Sequence, residues 1–287
     1  MEKVLTPTNY ELIPLNDKTN VRFYTSVDPG SYVAPHWHDA IEIIYIQKGE
    51  LKIVIENNQY ELINNQCLII SPDRIHSTLC TKPNQAIVFQ IPKSFFEKFV
   101  PNAKSMEFNL KDPADTLVQQ GKVDLFKDTL SKMQFLVDYE PDGAVLRFNS
   151  LLFEVLFQLY HNFSTPVIPS DLTRQSKNLE KLEPILNYIS ENYNKPISLE
   201  EISNIAMFEP KYFCRFFKKC MGTTFLEYQN EIRLSKIYSD IISTNDKISD
   251  ILERHGFTNY KLFRHLFRSH FDATPSEIRK DKNILPE

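Results

Sequence analysis

The sequence predicts an α+β chain in two parts: a strand-rich N-terminal half closing into a sandwich or barrel, and an all-helical C-terminal half. Three observations carry that reading. Short β-branched and aromatic runs recur through residues 1 to about 100, broken by Gly, Pro and Asn. From about Val123 the apolar period turns helical. The last hundred residues state one pattern twice: Ile202, Ala206, Phe208, Tyr212, Phe213, Arg215, Phe217, Lys218 and Thr224 return as Ile251, His255, Phe257, Leu262, Phe263, His265, Phe267, Arg268 and Thr274.

The strand-like runs are Val21–Val27, Ile41–Ile46, Leu51–Glu56, Cys67–Ile70 and Ala86–Gln90, with Glu56-Asn57-Asn58-Gln59 as a hairpin turn. Leu125, Phe126, Leu130, Met133 and Val137 then form one helical stripe. Val145, Leu146, Leu152, Val155, Leu156 and Leu159 form another, across the turn Glu140-Pro141-Asp142-Gly143. The second helix is apolar on more than one face, which suits packing on both the barrel and a second copy of the chain. Ser164 to Ser170, with two prolines, reads as a short, partly extended linker.

Composition excludes several classes. Of 287 residues 42% are hydrophobic and 24% charged, so the chain is globular. No apolar run reaches the roughly 18 residues of a membrane span, and Met1-Glu2-Lys3-Val4 lacks the layout of a secretion signal. Cys67, Cys80, Cys214 and Cys220 show no close metal-type spacing, so reduced thiols in the cytoplasm are expected. Net charge is −4. Residues 177–287 hold 17 Lys and Arg against 16 Asp and Glu, so any nucleic-acid contact must come from a local stripe of charge.

Leu179 to Tyr193 reads as the first helix of the C-terminal half, and Ser198 with Glu201 caps a second over Leu199–Ala206. Pro210 opens a third, with Phe213 and Phe217 inward and Gly222 at its end. A long helix from Thr224 to about Thr244 follows, with Leu226, Ile232 and Ile237 among its apolar positions. Its length, about 30 Å for 20 residues, matches the roughly 34 Å between successive major-groove faces. The second copy uses Ile248–His255, Gly256 as the turn, and Asn259–His270 as the reading helix. Lys211, Tyr212, Cys214, Arg215 and Lys218 face outward in the first copy. Thr258, Asn259, Lys261, Arg264, His265 and Arg268 do so in the second. Asn pairs with adenine, and Arg or Lys with guanine or phosphate.

Phe208-Glu209-Pro210-Lys211-Tyr212-Phe213-Cys214-Arg215-Phe216-Phe217-Lys218-Lys219, with Gly222, Gly256-Phe257-Thr258, Phe263, Phe267 and Thr274-Pro275-Ser276-Glu277-Ile278-Arg279, resembles the AraC/XylS family of transcriptional regulators over residues 179–281. The resemblance implies two reading helices in successive major grooves of double-stranded DNA and activation by contact with RNA polymerase. The chain departs from the family pattern at three places. Glu209 replaces a Ser cap, which should weaken that cap and put negative charge near phosphate. His255 replaces a small apolar residue. Asp272 replaces a glycine, which should strain its turn.

Gly30, His36, His38, Glu42 and Gly49 follow the spacing of the first cupin motif, and Pro72 with His76 resembles the core of the second, whose glycines are absent. On a single strand His36, His38, Glu42, Ile44 and Ile46 would share one parity and face the barrel interior, with Trp37 on the other side and packed under helices. His36, His38, Glu42 and His76 could hold a divalent transition metal. The alternative is a hydrogen-bonding wall without metal, and the expectation is no metal and no cofactor. With Arg22, Tyr24 and Gln90, these groups form a pocket for a small polar effector, and imidazoles with a carboxylate favour a sugar or related polyol.

The fold expected is thus an N-terminal cupin β-barrel (jelly roll) with dimerisation helices over residues 1–163, a linker over 164–176 and a tandem helix-turn-helix domain over 177–287. The function expected is a homodimeric, effector-responsive regulator and no enzyme, with no catalytic residues. The competing reading, a metal-dependent cupin enzyme with a helical appendage, leaves the tandem reader without a purpose.

Overall fold

A computed structural model describes Glu11 and residues 13–56, 58–100 and 102–282, without the side chains of 169–176 and 281–282. Among the described residues eight strands make the barrel: β1 (Arg22–Asp28), β2 (Ser31–His36), β3 (Ala40–Lys48), β4 (Leu51–Ile55), β5 (Asn58–Leu62), β6 (Cys67–Ile70), β7 (His76–Cys80) and β8 (Asn84–Pro92). They form two antiparallel four-stranded sheets, ordered β1-β8-β3-β6 and β2-β7-β4-β5. The alternation of β3 assigns its faces. Glu42 points inward with Ile44 and Ile46, which join Leu51, Ile53, Leu68 and Ile70 between the sheets. Ile41 and Ile43 point outward, onto a second core.

That second core lies under α2 (Leu117–Tyr139) and α3 (Ala144–Asn162), after the short α1 (Lys93–Phe96). Phe126, Leu130 and Met133 of α2 and Leu152, Val155 and Leu159 of α3 are buried against the sheet. Each such side chain contributes about 1.5–3 kcal/mol by leaving water. The expected stripes are only partly buried, since Leu125, Val137, Val145 and Leu146 remain exposed. Leu125 and Leu146 are turned away from the sheet-facing set, whereas Val137 and Val145 continue that set but stand at the helix ends beside the turn between α2 and α3.

The region expected to be a short, partly extended linker is extended at its start and helical beyond it. Ser164–Pro166 forms β10, pairing antiparallel with β9 (Met106–Phe108), and α4 runs Pro169–Asn192, ten residues earlier than the helix start expected at Leu179. Pro169 sits at N1, where its missing N–H costs nothing, so the proline read as a stop is a start. A single strand over residues 36–46 is likewise not formed. β2 ends at His36 and β3 begins at Ala40, so His36 and His38 flank a corner and converge by a bend of the chain.

The remaining helices are α5 (Leu199–Ile205), α6 (Pro210–Met221), α7 (Phe225–Ser243), α8 (Ile248–Arg254), α9 (Tyr260–Phe271) and α10 (Pro275–Lys282). Leu226 of α7, expected among its apolar positions, is exposed, and Phe225 and Tyr228 take the buried face instead. One end of α7 packs with α5 and α6 around Phe213 and Phe217. The other packs with α8 and α9 around Phe263 and Phe267.

α7 also covers the barrel. β2 is an edge strand, the place where a proline such as Pro35 is tolerated. Tyr228 Oη donates to Pro35 O (3.0 Å), Ser235 Oγ to Tyr32 O (2.7 Å), and the Tyr32 hydroxyl to Glu231. Trp37 does pack under helices, and these belong to the C-terminal half, around Leu179, Leu182 and Phe213.

Candidate functional site

The two reading heads are built by the same local rules. Ser198 and Glu201 form a reciprocal capping box at the start of α5, as expected. On α6, Phe213, Phe216 and Phe217 are buried while Lys211, Tyr212, Cys214, Arg215 and Lys218 are all exposed, as is Lys219. On the second head Phe263 and Phe267 are fully buried, and Thr258, Asn259, Lys261, Arg264, His265 and Arg268 are exposed. Each expected contact residue thus reaches solvent on the face opposite an aromatic core. α7, with 19 residues, holds the heads apart by about 28 Å of helix.

The caps differ from expectation. Glu209, expected to weaken the start of α6, is its N-cap, its carboxylate accepting from Tyr212 N at 3.0 Å. Asn259 plays that part for α9, accepting from Leu262 N at 3.0 Å, so its Oδ1 is committed to the backbone and its amide nitrogen is left for a base. Asp272 closes α9 with φ +52°, the left-handed conformation expected to be strained.

His255 lies where the two heads abut. Its Nε2 is 2.9 Å from Asp240 Oδ2, and the Tyr193 hydroxyl is 3.0 Å from its Nδ1. This suits a neutral ring donating from Nε2 and accepting at Nδ1. Burial holds its pKa below the usual histidine value despite the Asp240 carboxylate. Gly256 follows with φ +69°, and a Cβ there would stand 1.9 Å from Asn194 O.

In the barrel all seven expected effector residues gather into one polar network. Arg22 Nη1 donates to Gln90 Oε1 (3.0 Å), Gln90 Nε2 donates to Glu42 Oε2 (3.1 Å), and Glu42 Oε2 lies 2.5 Å from His38 Nε2. The Arg22 guanidinium stacks over the Tyr24 ring at 4.6 Å, and the rings of His36 and His76 are 4.2 Å apart. Burial pushes the Tyr24 hydroxyl up to about 12. Burial and the neighbouring His76 and His38 hold His36 down to about 3, so it is neutral. Burial opposes charge on His38, but its bond to Glu42 outweighs this and raises its pKa. Glu42 is held well below the carboxylate range by the same bond and by His76, although burial works the other way.

Sequence reasoning missed one member. Glu11 accepts from Arg22 Nη1 at 2.7 Å and from Gln90 Nε2 at 3.3 Å, and its Oε2 stands 3.8 Å from His36 Nε2. No strand or motif marks it, and the only local hint was that Arg22 needed a counter-charge.

The set also fits a divalent metal. The Nδ1 atoms of His36, His38 and His76 lie 2.9–3.1 Å from the carbonyls of Ala34, Ala40 and Arg74, leaving the Nε2 atoms as the ligand positions, that of His38 being already paired with Glu42. One ligand atom from each falls within 4.8 Å of the others, and His76 Nε2 is buried without a hydrogen-bond partner. A metal there would be held by His36, His38 and His76, and would polarise a hydroxyl or carboxylate of a bound molecule.

With the geometry in place, comparison with known proteins identifies the class. Residues 202–281 match the family described as a helix-turn-helix domain, and residues 20–97 match the AraC-like ligand binding domain. The chain belongs to the AraC-type regulators with a cupin-like sensor half. Among its relatives is YdiP of Escherichia coli, an uncharacterized HTH-type transcriptional regulator, 24% identical over 93% of this chain and 88% of that protein. Uncharacterized HTH-type regulators of Staphylococcus aureus are 19% identical over 87% of this chain, which spans 32% of their length. Solved structures similar to it include ToxT of Vibrio cholerae, with 14% identity, a TM-score of 0.46 and coverage of 92% of this chain and 98% of that one. An AraC-type regulator of Chromobacterium violaceum shows 25% identity, a TM-score of 0.35 and coverage of 39% and 99%. No helix among the described residues is long and apolar enough to cross a membrane.

Proposed function

We propose that this protein is a cytoplasmic, sequence-specific DNA-binding transcriptional regulator that activates through RNA polymerase in response to a small polar effector in the barrel. One observation carries the reading: two exposed basic faces, each over its own aromatic core, stand at opposite ends of one helix. Lys211, Arg215 and Lys218 would engage one major groove, and Lys261, Arg264 and Arg268 the next. Arg22, Tyr24, His36, His38, Glu42, His76 and Gln90 would hold the effector, a sugar or a relative of one, because imidazoles and a carboxylate pair well with hydroxyls. No cofactor is part of this reading. Residues 1–163 would sense and dimerise and 177–287 read DNA, with the intervening segment built into β10 and α4.

The dimer reading rests on an uncovered apolar surface of α2 and α3. Leu125, Phe135, Tyr139, Leu146, Phe153 and Phe157 are each 46–80% exposed, and large apolar side chains left uncovered on neighbouring helices favour association with a partner. Communication would pass through β2, which carries His36 at the effector site and Tyr32 and Pro35 against α7. An effector shifts the heads only to the extent that it binds one arrangement better than the other.

The test is fluorescence anisotropy on the DNA upstream of the protein's own gene at two salt concentrations. Submicromolar binding that weakens steeply with salt is expected. It should fall by at least about tenfold in R215A/R264A, at about 1–3 kcal/mol per lost base contact. Salt-independent binding, or none at micromolar protein, would defeat the proposal.

A further inference from the structure

Within the polar network of the barrel, Glu11 is the odd member. The other side chains stand on strands or at the corner between β2 and β3, whereas Glu11 lies outside the sheets, tied by its backbone N–H to Trp37 O at 3.0 Å. Its carboxylate nevertheless enters the site, where it bonds two of the expected effector residues and approaches a third. Arg22 donates to one oxygen, and Gln90 Nε2 and His36 Nε2 lie near the other. We propose that Glu11 is an internal ligand occupying an anion site built by Arg22 and Gln90, and that the effector which displaces it is a small carboxylate, a sugar acid or hydroxy acid rather than a neutral sugar. This deepens the effector reading above and rests on it.

Charge balance is the argument. Inside the barrel Glu42 is matched by His38, with His76 beside it. Arg22 has Glu11 as its ion-pair partner. Without the Glu11 carboxylate, Arg22 keeps, among the described residues, the Gln90 amide oxygen and the face of Tyr24. Its side chain is 21% exposed, too enclosed for water to take over fully. A neutral polyol can replace the lost hydrogen bonds but not the charge, whereas a carboxylate replaces both. The exchange is also an even one, since one carboxylate leaves the guanidinium as another arrives. Glu11, 34% exposed, is the member placed to leave. Hydroxyls next to an incoming carboxylate would then meet the inward Nε2 atoms of His36 and His76.

The experiment needs no knowledge of the natural effector. Thermal unfolding of the full chain is followed for wild type, E11A and E11A/R22Q, with sodium acetate or acetamide at fixed ionic strength, each with and without 1,10-phenanthroline. E11A leaves a carboxylate-sized hole beside Arg22, and acetate should raise its Tm by about 3 °C at roughly ten times its Kd. Wild type, whose site is filled, and E11A/R22Q, which lacks the guanidinium, should not respond, and acetamide should not substitute. As a second readout, E11Q keeps the side chain but not its charge. It should bind galacturonate at least about tenfold more tightly than wild type does, with no gain for galactose. Equal rescue by acetamide, rescue that survives R22Q, or rescue abolished by phenanthroline (a carboxylate held by metal) would each overturn the anion site. Those results leave DNA binding untouched, so failure here is distinct from failure of the regulator reading.

Discussion

The two reading heads share a plan and differ at their turns. Phe208 and Phe257 are equivalent, so Met207 stands opposite Gly256, and Ala206 opposite His255. Met207 takes φ +53° as a non-glycine residue and is almost fully exposed, so the left-handed turn there is strained. Gly256 takes φ +69° because Asn194 lies against it, and His255 is locked between Tyr193 and Asp240. The first head therefore turns freely into solvent, while the turn of the second is also the joint between the heads. A duplicated motif does not keep duplicated duties.

The largest expected effect tests what the heads share. Phe217→Ala and Phe267→Ala each empty a fully buried ring site and should cost about 3–5 kcal/mol in urea unfolding. A cost confined to one of them would mean the heads are not equivalent cores. Gly256→Ala comes next. Its Cβ must displace the Asn194 carbonyl from 1.9 Å, and a loss of about 2–4 kcal/mol is expected from strain and overpacking. Met207→Gly, the matching change in the first head, should instead be neutral or stabilise by up to about 1 kcal/mol.

The contrast at Ala206 and His255 is a prediction in pH. Burial lowers the folded-state pKa of His255, so between its ordinary value of 6.5 and that lower value the unfolded chain holds a proton that the folded chain does not. Stability contributed by the neutral ring is complete above 6.5 and declines as pH falls, by at most about 1.4 kcal/mol per pH unit. His36 acts in the same direction from 6.5 down to about 3. The H255Q variant should flatten the slope of stability against pH between 6.5 and 5, with the part due to His36 remaining. An unchanged slope would show that His255 does not titrate with folding.

The smallest effect concerns Glu209, whose carboxylate caps α6 close to where phosphate would lie. Glu209→Ser should keep the cap, change stability by less than about 0.5 kcal/mol, and tighten DNA binding a few-fold by removing a negative charge. Weaker binding would place α6 away from the duplex.

Local rules made much of this legible. The capping box, Pro210 at N1, the aromatic pairs on α6 and α9, and the strand runs around Ile44 and Ile69 each depend on residues a few positions apart, and the sequence displays those spacings directly. The extended start of the linker was legible and its helical remainder was not, because Pro169 can begin a helix as readily as it prevents one. The single strand over residues 36–46 failed because parity is blind to a corner. Glu11 and the Tyr32–Glu231 contact pair residues far apart in sequence, and no local spacing records such meetings.

The covered flank of β2 constrains how the molecule can be cut. Hydroxyls of Tyr228 and Ser235 stand where a neighbouring strand would otherwise offer its amides. A truncated N-terminal half, freed of α7, would present a raw seam of unpaired backbone beside the now bare Trp37 and Tyr32. Such a fragment would tend to stick to itself, and its oligomeric state would report on the cut rather than on the intact regulator.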